Sequence, residues 1–265
     1  MNLTHLERLE GPDDGSVRVE FQCVADLAGR DFRIATSMPS EWVKWHQRYD
    51  DDLLSPRLKV VQQCIRDALD GSTDAPYRVV SLCAGDGRDL LGALRDHRRA
   101  RDVRARLVDV TPELVMAGRD EVSRLGLPSV SFVLGDASTT DAFAGAVPAH
   151  LVLVCGVFGN ISDRDVRNTI DHLPELCAPD ATVVWTRGRF EPDLTPTIRE
   201  WFREAGFTEL SFTSIPGTTA SVGAHRLAIP ARPFVGGVRL FTFLPKEERP
   251  SSRARARSDL DRVKT

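Results

Sequence analysis

From Tyr77 to about Leu244 the chain alternates short β-branched runs with helix-sized stretches, and this limits its fold more than any other feature. The runs are YRVVSLC (77–83), ARLVDV (105–110), VSFVLGD (130–136), AHLVLVC (149–155) and ATVVWTR (181–187). Near-continuous apolar strands separated by helix-length segments imply βαβ units and a parallel sheet covered on both faces. Two further candidates, FTELSFTSI (207–215) and VGGVRLFTFL (235–244), are joined by a polar loop bearing Gly and Pro, with no helix between them. One of that pair is therefore expected to run antiparallel at the sheet edge.

The flanks read differently. VRVEFQCVA (17–25) alternates as a strand does, and from Glu41 the text EWVKWHQRYDD and then SPRLKVVQQCIRDALDG reads as helical, with Gly71 as a stop. Residues 246–265, KEERPSSRARARSDLDRVKT, lack apolar periodicity and are expected to be a disordered charged tail. The expected layout is an N-terminal extension and lid over 1–72, a ligand-binding core over 73–245 and the tail over 246–265. A formal net charge of −3 gives no electrostatic case for a polyanionic partner. No apolar run approaches the ~20 residues of a membrane span, and the polar start MNLTHLERLEGPDDG is unlike a signal peptide. Five scattered cysteines without a CxxC suit neither a disulfide framework nor a zinc site, so no metal and a reducing, cytoplasmic setting are expected.

The stretch VVSLCAGDGRDLLGAL (79–94) is an apolar run, a loop with Gly85 and Gly87, and then a helical pattern from about Arg88. Glycine permits positive φ and close backbone approach, as a ligand at the carboxyl end of a parallel strand requires. A dinucleotide fingerprint would need glycine at position 90, where Leu90 stands, so a nicotinamide dinucleotide is disfavoured. Asp109 ends the second run, 24 positions past Gly85, placed to accept hydrogen bonds from two ribose hydroxyls. Thr111 and Pro112 then open a helix. Asp136 ends the third run, where its carboxylate is placed for an exocyclic amine and the Ala137 amide for a ring nitrogen. Each aspartate alone is an ordinary turn residue. Three strand tips in order, offering amino-acid, ribose and adenine contacts, are a site.

Over residues 77–244 the chain resembles the class I S-adenosylmethionine-dependent methyltransferases, through LCAGDGRDLL, VDVTPEL, LGDAS and VLVCGVFGNIS. The resemblance implies an α/β, Rossmann-like, doubly wound sheet of seven mostly parallel strands with an antiparallel last strand, preceded by a mainly helical N-terminal extension. It also implies S-adenosylmethionine as cofactor and S-adenosylhomocysteine as product. Cys83, Ala84, Gly85 and Gly87 would then hold the methionine moiety, Asp109 the ribose and Val110 the adenine face. Asp136 and Ala137 would read the adenine edge, and Gly156 through Asn160 would floor the pocket beside the methyl group. Two positions depart from the family: Cys83 replaces a usual glycine, and Ser81 replaces a usual acid, for which Asp86 or Asp89 is the available substitute.

A sulfonium donor needs positioning more than covalent help, and a general base only where the acceptor holds a proton. GVFGN stands where the family's amide- and nucleobase-modifying members carry (D/N)-P-P-(Y/F). WHQRYDD (45–51) is the candidate lid, with His46 and Tyr49 as candidate catalytic groups. His225, read as part of a long loop between the last two strands, is a second candidate base. Arg187 and Arg189 follow the fifth run on the ligand side. The basic stretch RDHRRARDVRAR (95–106) lies at the opposite end, which disfavours nucleic acid as substrate. The expected activity is methyl transfer to an O or N atom of a small-molecule acceptor. The alternatives are an RNA methyltransferase and a catalytically silent module that binds the cofactor.

Overall fold

A computed structural model describes residues 55–250. The expected strand at 17–25, the first part of the expected helix from Glu41, the lid residues His46 and Tyr49, and the tail beyond 250 lie outside the described residues.

Seven strands form one sheet: β1 (Tyr77–Leu82), β2 (Val103–Asp109), β3 (Val130–Leu134), β4 (Ala149–Val154), β5 (Cys177–Gly188), β6 (Phe207–Ser214) and β7 (Ala220–Leu227). The described helices of seven or more residues are α1 (Ser55–Asp70), α2 (Arg88–Leu94), α3 (Pro112–Leu125), α4 (Asp163–His172) and α5 (Thr195–Glu204). Strand order is β3-β2-β1-β4-β5-β7-β6. β1 to β5 are parallel, and β7 runs antiparallel between β5 and β6. The seven-stranded, mostly parallel sheet with an antiparallel last strand is as expected. Among the described residues no helix is long and apolar enough to cross a membrane.

Both faces of the central strands are buried, which is why β1 and β4 read as continuous apolar runs. Val61, Ile65 and Leu69 of α1, with Leu90, Leu91 and Leu94 of α2, cover one face over Val79, Leu107, Leu151 and Val184. On the other face Val166 and Ile170 of α4 and Ile198 and Phe202 of α5 pack over Val80, Val152, Val183 and Trp185. Gly87 and Gly118 are packing glycines: a Cβ at either would meet the Phe132 ring at 2.5 or 2.3 Å. The helix signals hold, with Pro112 in the first turn of α3 behind Thr111 and left-handed Gly126 ending it.

The last strand is corrected. The expected strand at 235–244 is not one; β7 is Ala220–Leu227, inside what reads as a loop. Residues 235–244 instead make only isolated bridges, Thr139 with Arg239 and Ile161 with Phe243, and bury Leu240 and Phe241. Val238 and Leu240 bond the backbone of Thr140 and Ser138, and Leu244 bonds that of Asn160. This segment is a strap across the loops that follow β3 and β4.

Candidate active site

Strand order reverses between β1 and β4, so the loops after their carboxyl ends part and leave a crevice. The glycine loop lines one side. Cys83, Gly85 and Gly87 have φ of 51°, 59° and 74°, so the chain turns sharply from β1 into α2. Left-handed backbone is free for glycine but strained at Cys83. Ala84 N–H donates to Val108 O (2.9 Å), and Gly85 N–H donates to Asp109 Oδ2 (2.8 Å), tying the loop to the tip of β2. The other oxygen of Asp109 accepts from Thr111 N–H at 2.8 Å. Asp109 is buried, so both oxygens are satisfied inside the protein and each keeps a second lone pair for a hydroxyl. Val110 is half-buried beside it.

At the tip of β3, Asp136 is exposed, accepts from Ser138 N–H at 2.8 Å, and has Arg239 Nη1 at 3.6 Å. Arg239 also donates to Ser138 Oγ at 2.7 Å. Ala137 is buried. After β4, Gly156 has φ 76°; its N–H donates to Thr186 Oγ1 (2.8 Å) and its carbonyl accepts from Asn160 Nδ2 (2.6 Å). Asn160 therefore holds the 156–160 loop closed upon itself. The sequence-predicted residues of the glycine loop, Asp109, Val110, Asp136, Ala137, Gly156 and Asn160 thus all lie on the loops at one end of the sheet. Arg239 and Thr186 are additions; neither carries a motif, since both act through partners distant in sequence.

Two thiols line this end without acting as nucleophiles. Burial, followed by the carboxylates of Asp109 and Asp136, pushes the Cys83 thiol well up. Burial and then Asp89 push Cys155 up in the same way, against the pull of Arg57. Both stay protonated at neutral pH.

His225 is the second correction. It lies in β7 opposite Val183, 1% exposed, at mid-strand rather than at the sheet's functional end. Trp185 Nε1 donates to its Nδ1 at 3.2 Å, and its ring stacks on Phe202 at 4.3 Å. Burial holds its pKa down to about 4, with only partial compensation from Glu209. It is a neutral core histidine that accepts the Trp185 proton. Arg187 is likewise inside β5, buried, donating to Phe158 O with Asp163 at 3.5 Å, while Arg189 donates to Thr218 O at 3.0 Å. The basic stretch joins α2 to the start of β2, at the far end of the sheet. There Arg95 pairs with Glu121 and Arg98 with Asp70.

A family model described as "Putative methyltransferase" matches residues 55–201, more than half of the chain. No curated protein matches the sequence. Among solved structures, an O-methyltransferase family protein from Burkholderia thailandensis aligns at 21% identity and TM-score 0.53 over 66% of this chain. The alignment spans only 56% of that protein's length. Magnesium protoporphyrin IX methyltransferase from Synechocystis PCC 6803, solved with bound S-adenosylmethionine, aligns at 14% identity and TM-score 0.55, over 71% of this chain and 91% of its own. A protein from Nostoc punctiforme PCC 73102, described as a putative O-methyltransferase, aligns at 15% identity and TM-score 0.53, over 71% of this chain and 60% of its own. With its reversed strand order, glycine loop and inserted antiparallel strand, the chain belongs to this methyltransferase family, on the fold of the class I S-adenosylmethionine-dependent methyltransferases.

Proposed function

We propose that the protein transfers the methyl group of S-adenosylmethionine to an oxygen or nitrogen of a small-molecule acceptor. The observation that carries this reading is the bond from Gly85 N–H to the Asp109 carboxylate. One buried acid pre-forms the glycine loop and keeps lone pairs for the ribose, so little ordering is left to the binding step. Asp136, with the Ala137 amide, takes the adenine edge. The cofactor supplies an activated methyl; the acceptor's lone pair attacks that carbon as the C–S bond breaks, leaving a neutral thioether. Shielding and alignment are then the protein's main tasks, worth ~7–11 kcal/mol of barrier. We assign the cover to residues 41–52, where His46 and Tyr49 supply a base and a hydroxyl, and the core to residues 73–245. Four free cysteines among the described residues suit a reducing, cytoplasmic setting.

The second reading, a silent cofactor-binding module, has one observation in its favour. His97, His150, His172 and His225, the described histidines, all lie away from the strand tips. Incubation with S-adenosylmethionine and a metabolite extract, followed by mass spectrometry, separates the readings. Methylated metabolite and S-adenosylhomocysteine are expected. Tight cofactor binding without either product favours the silent module, and affinity for NAD equal to that for S-adenosylhomocysteine sinks both.

A further inference from the structure

The adenosine of the proposed cofactor, set on the tips of β2 and β3, leaves its amino-acid end against the tips of β1 and β4. That end is a zwitterion, and in a water-poor crevice each of its charges needs a partner of opposite sign. The end of β1 offers none: Ser81 is neutral and buried. Asp86, in the glycine loop, is held by the Arg88 guanidinium two residues on, through both carboxylate oxygens.

A cation and an anion reach the place from elsewhere. α1 lies alongside α2 and runs the same way, because Gln62 Nε2 donates to Arg88 O (3.1 Å), Arg66 donates to Gly92 O (2.8 Å), and Asp70 pairs with Arg98 (2.7 Å). That register carries the first turn of α1 to the level of the glycine loop. Arg57 sits in that turn and is 8% exposed, unusual for a residue that ordinarily keeps its charge in water. Asp89 stands one residue into α2, half-buried. Both side chains act electrostatically on Cys155, the residue just past the tip of β4, and Asp89 is within hydrogen-bond reach of its thiol. Two opposite charges thus converge on the β4 side of the crevice from different helices.

We propose that Arg57 and Asp89 clamp the amino-acid end of S-adenosylmethionine, Arg57 taking its carboxylate and Asp89 its ammonium. The clamp supplies the charge that Ser81 does not, and it makes α1 a part of the site rather than a layer of the fold. It rests on the cofactor reading above.

Titration calorimetry on the full chain tests it with two ligands. S-adenosylhomocysteine carries the zwitterion, whereas 5′-methylthioadenosine has the same nucleoside without it. Arg57→Gln and Asp89→Asn should each weaken S-adenosylhomocysteine roughly ten- to a hundredfold, the value of a charge-assisted hydrogen bond. Each should leave 5′-methylthioadenosine within about twofold. Equal weakening of both ligands, or of neither, in folded variants overturns the clamp and leaves the cofactor reading standing. Wild-type protein that binds neither ligand overturns the cofactor reading, and the clamp with it. Should a variant fail to fold, wild-type protein still decides. Decarboxylated S-adenosylmethionine should bind at least tenfold more weakly than the intact cofactor, and equal binding refutes the role of Arg57.

Discussion

The two ends of the sheet are built from the same charged residues and use them in opposite ways. At the amino end, Arg95 with Glu121, Arg124 with Glu121 and Arg98 with Asp70 are pairs of exposed side chains held in water. At the carboxyl end, Asp109 is buried, and its partners are the backbone amides of Gly85 and Thr111. Water replaces a lost partner in the first setting and not in the second, so one carboxylate at the crevice outweighs the whole exposed set. Charge count says little about where charge matters; the company each carboxylate keeps says more.

Removing Asp109 should break the comparison most decisively. Asp109→Ala strands two amides, which at 1–3 kcal/mol each should cost about 2–4 kcal/mol of stability, and it should weaken S-adenosylhomocysteine about a hundredfold. Urea denaturation and calorimetry check both, and a folded variant with unchanged affinity would place the ribose elsewhere. Next in size is His225, buried without being at either end. Its folded pKa of about 4 lies below the ordinary value near 6.5, so between those values the unfolded chain binds the extra proton. Stability should therefore fall as pH drops from 6.5 to 4, by up to about 3 kcal/mol from this group. His225→Gln should flatten that part of the pH profile while leaving cofactor affinity at pH 7.5 unchanged. A profile identical to wild type would mean that the ring is solvated.

Cys83 sharpens the comparison within the crevice itself. At φ 51°, a β-branched side chain is strained further and glycine not at all. Melting temperatures should rank Cys83→Gly at or above wild type, with Cys83→Val lowest by about 1–2 kcal/mol. Smallest is the exposed set: Glu121→Gln should leave the urea midpoint unmoved at physiological salt.

What the sequence disclosed follows the same division. β1 to β5 announce themselves because each central strand is buried on both faces, and the glycine loop and its two aspartates are local signals at fixed offsets. β7 does not announce itself. ASVGAHRL has little apolar bulk because the bulk is supplied across the ladder: Trp185 faces Gly223, where a Cβ would meet the indole at 2.3 Å. His225 reads as a polar loop residue only until Trp185 and Phe202 are placed around it. VGGVRLFTFL has the composition of a strand but spends its backbone on the 138–140 and 160 loops and its side chains on the core beneath them. Arg57 is equally silent, for nothing in SPRLKVV tells a solvated arginine from one carried to the crevice by the register of α1 on α2.

The insertion of β7 between β5 and β6 has a consequence for the order of events during synthesis. β6 leaves the ribosome before β7, yet its only ladder in the sheet is with β7. A chain grown to about residue 215 therefore holds a strand with no neighbour to pair with, and β5 beside it still has an open edge. Sheet growth must pause there and then close on both sides at once when residues 220–227 arrive. During that interval the two unfilled edges of one nascent chain are complementary to the missing strand of another, so the final stretch of translation is where crowding of ribosomes on one message carries the greatest hazard of mispairing.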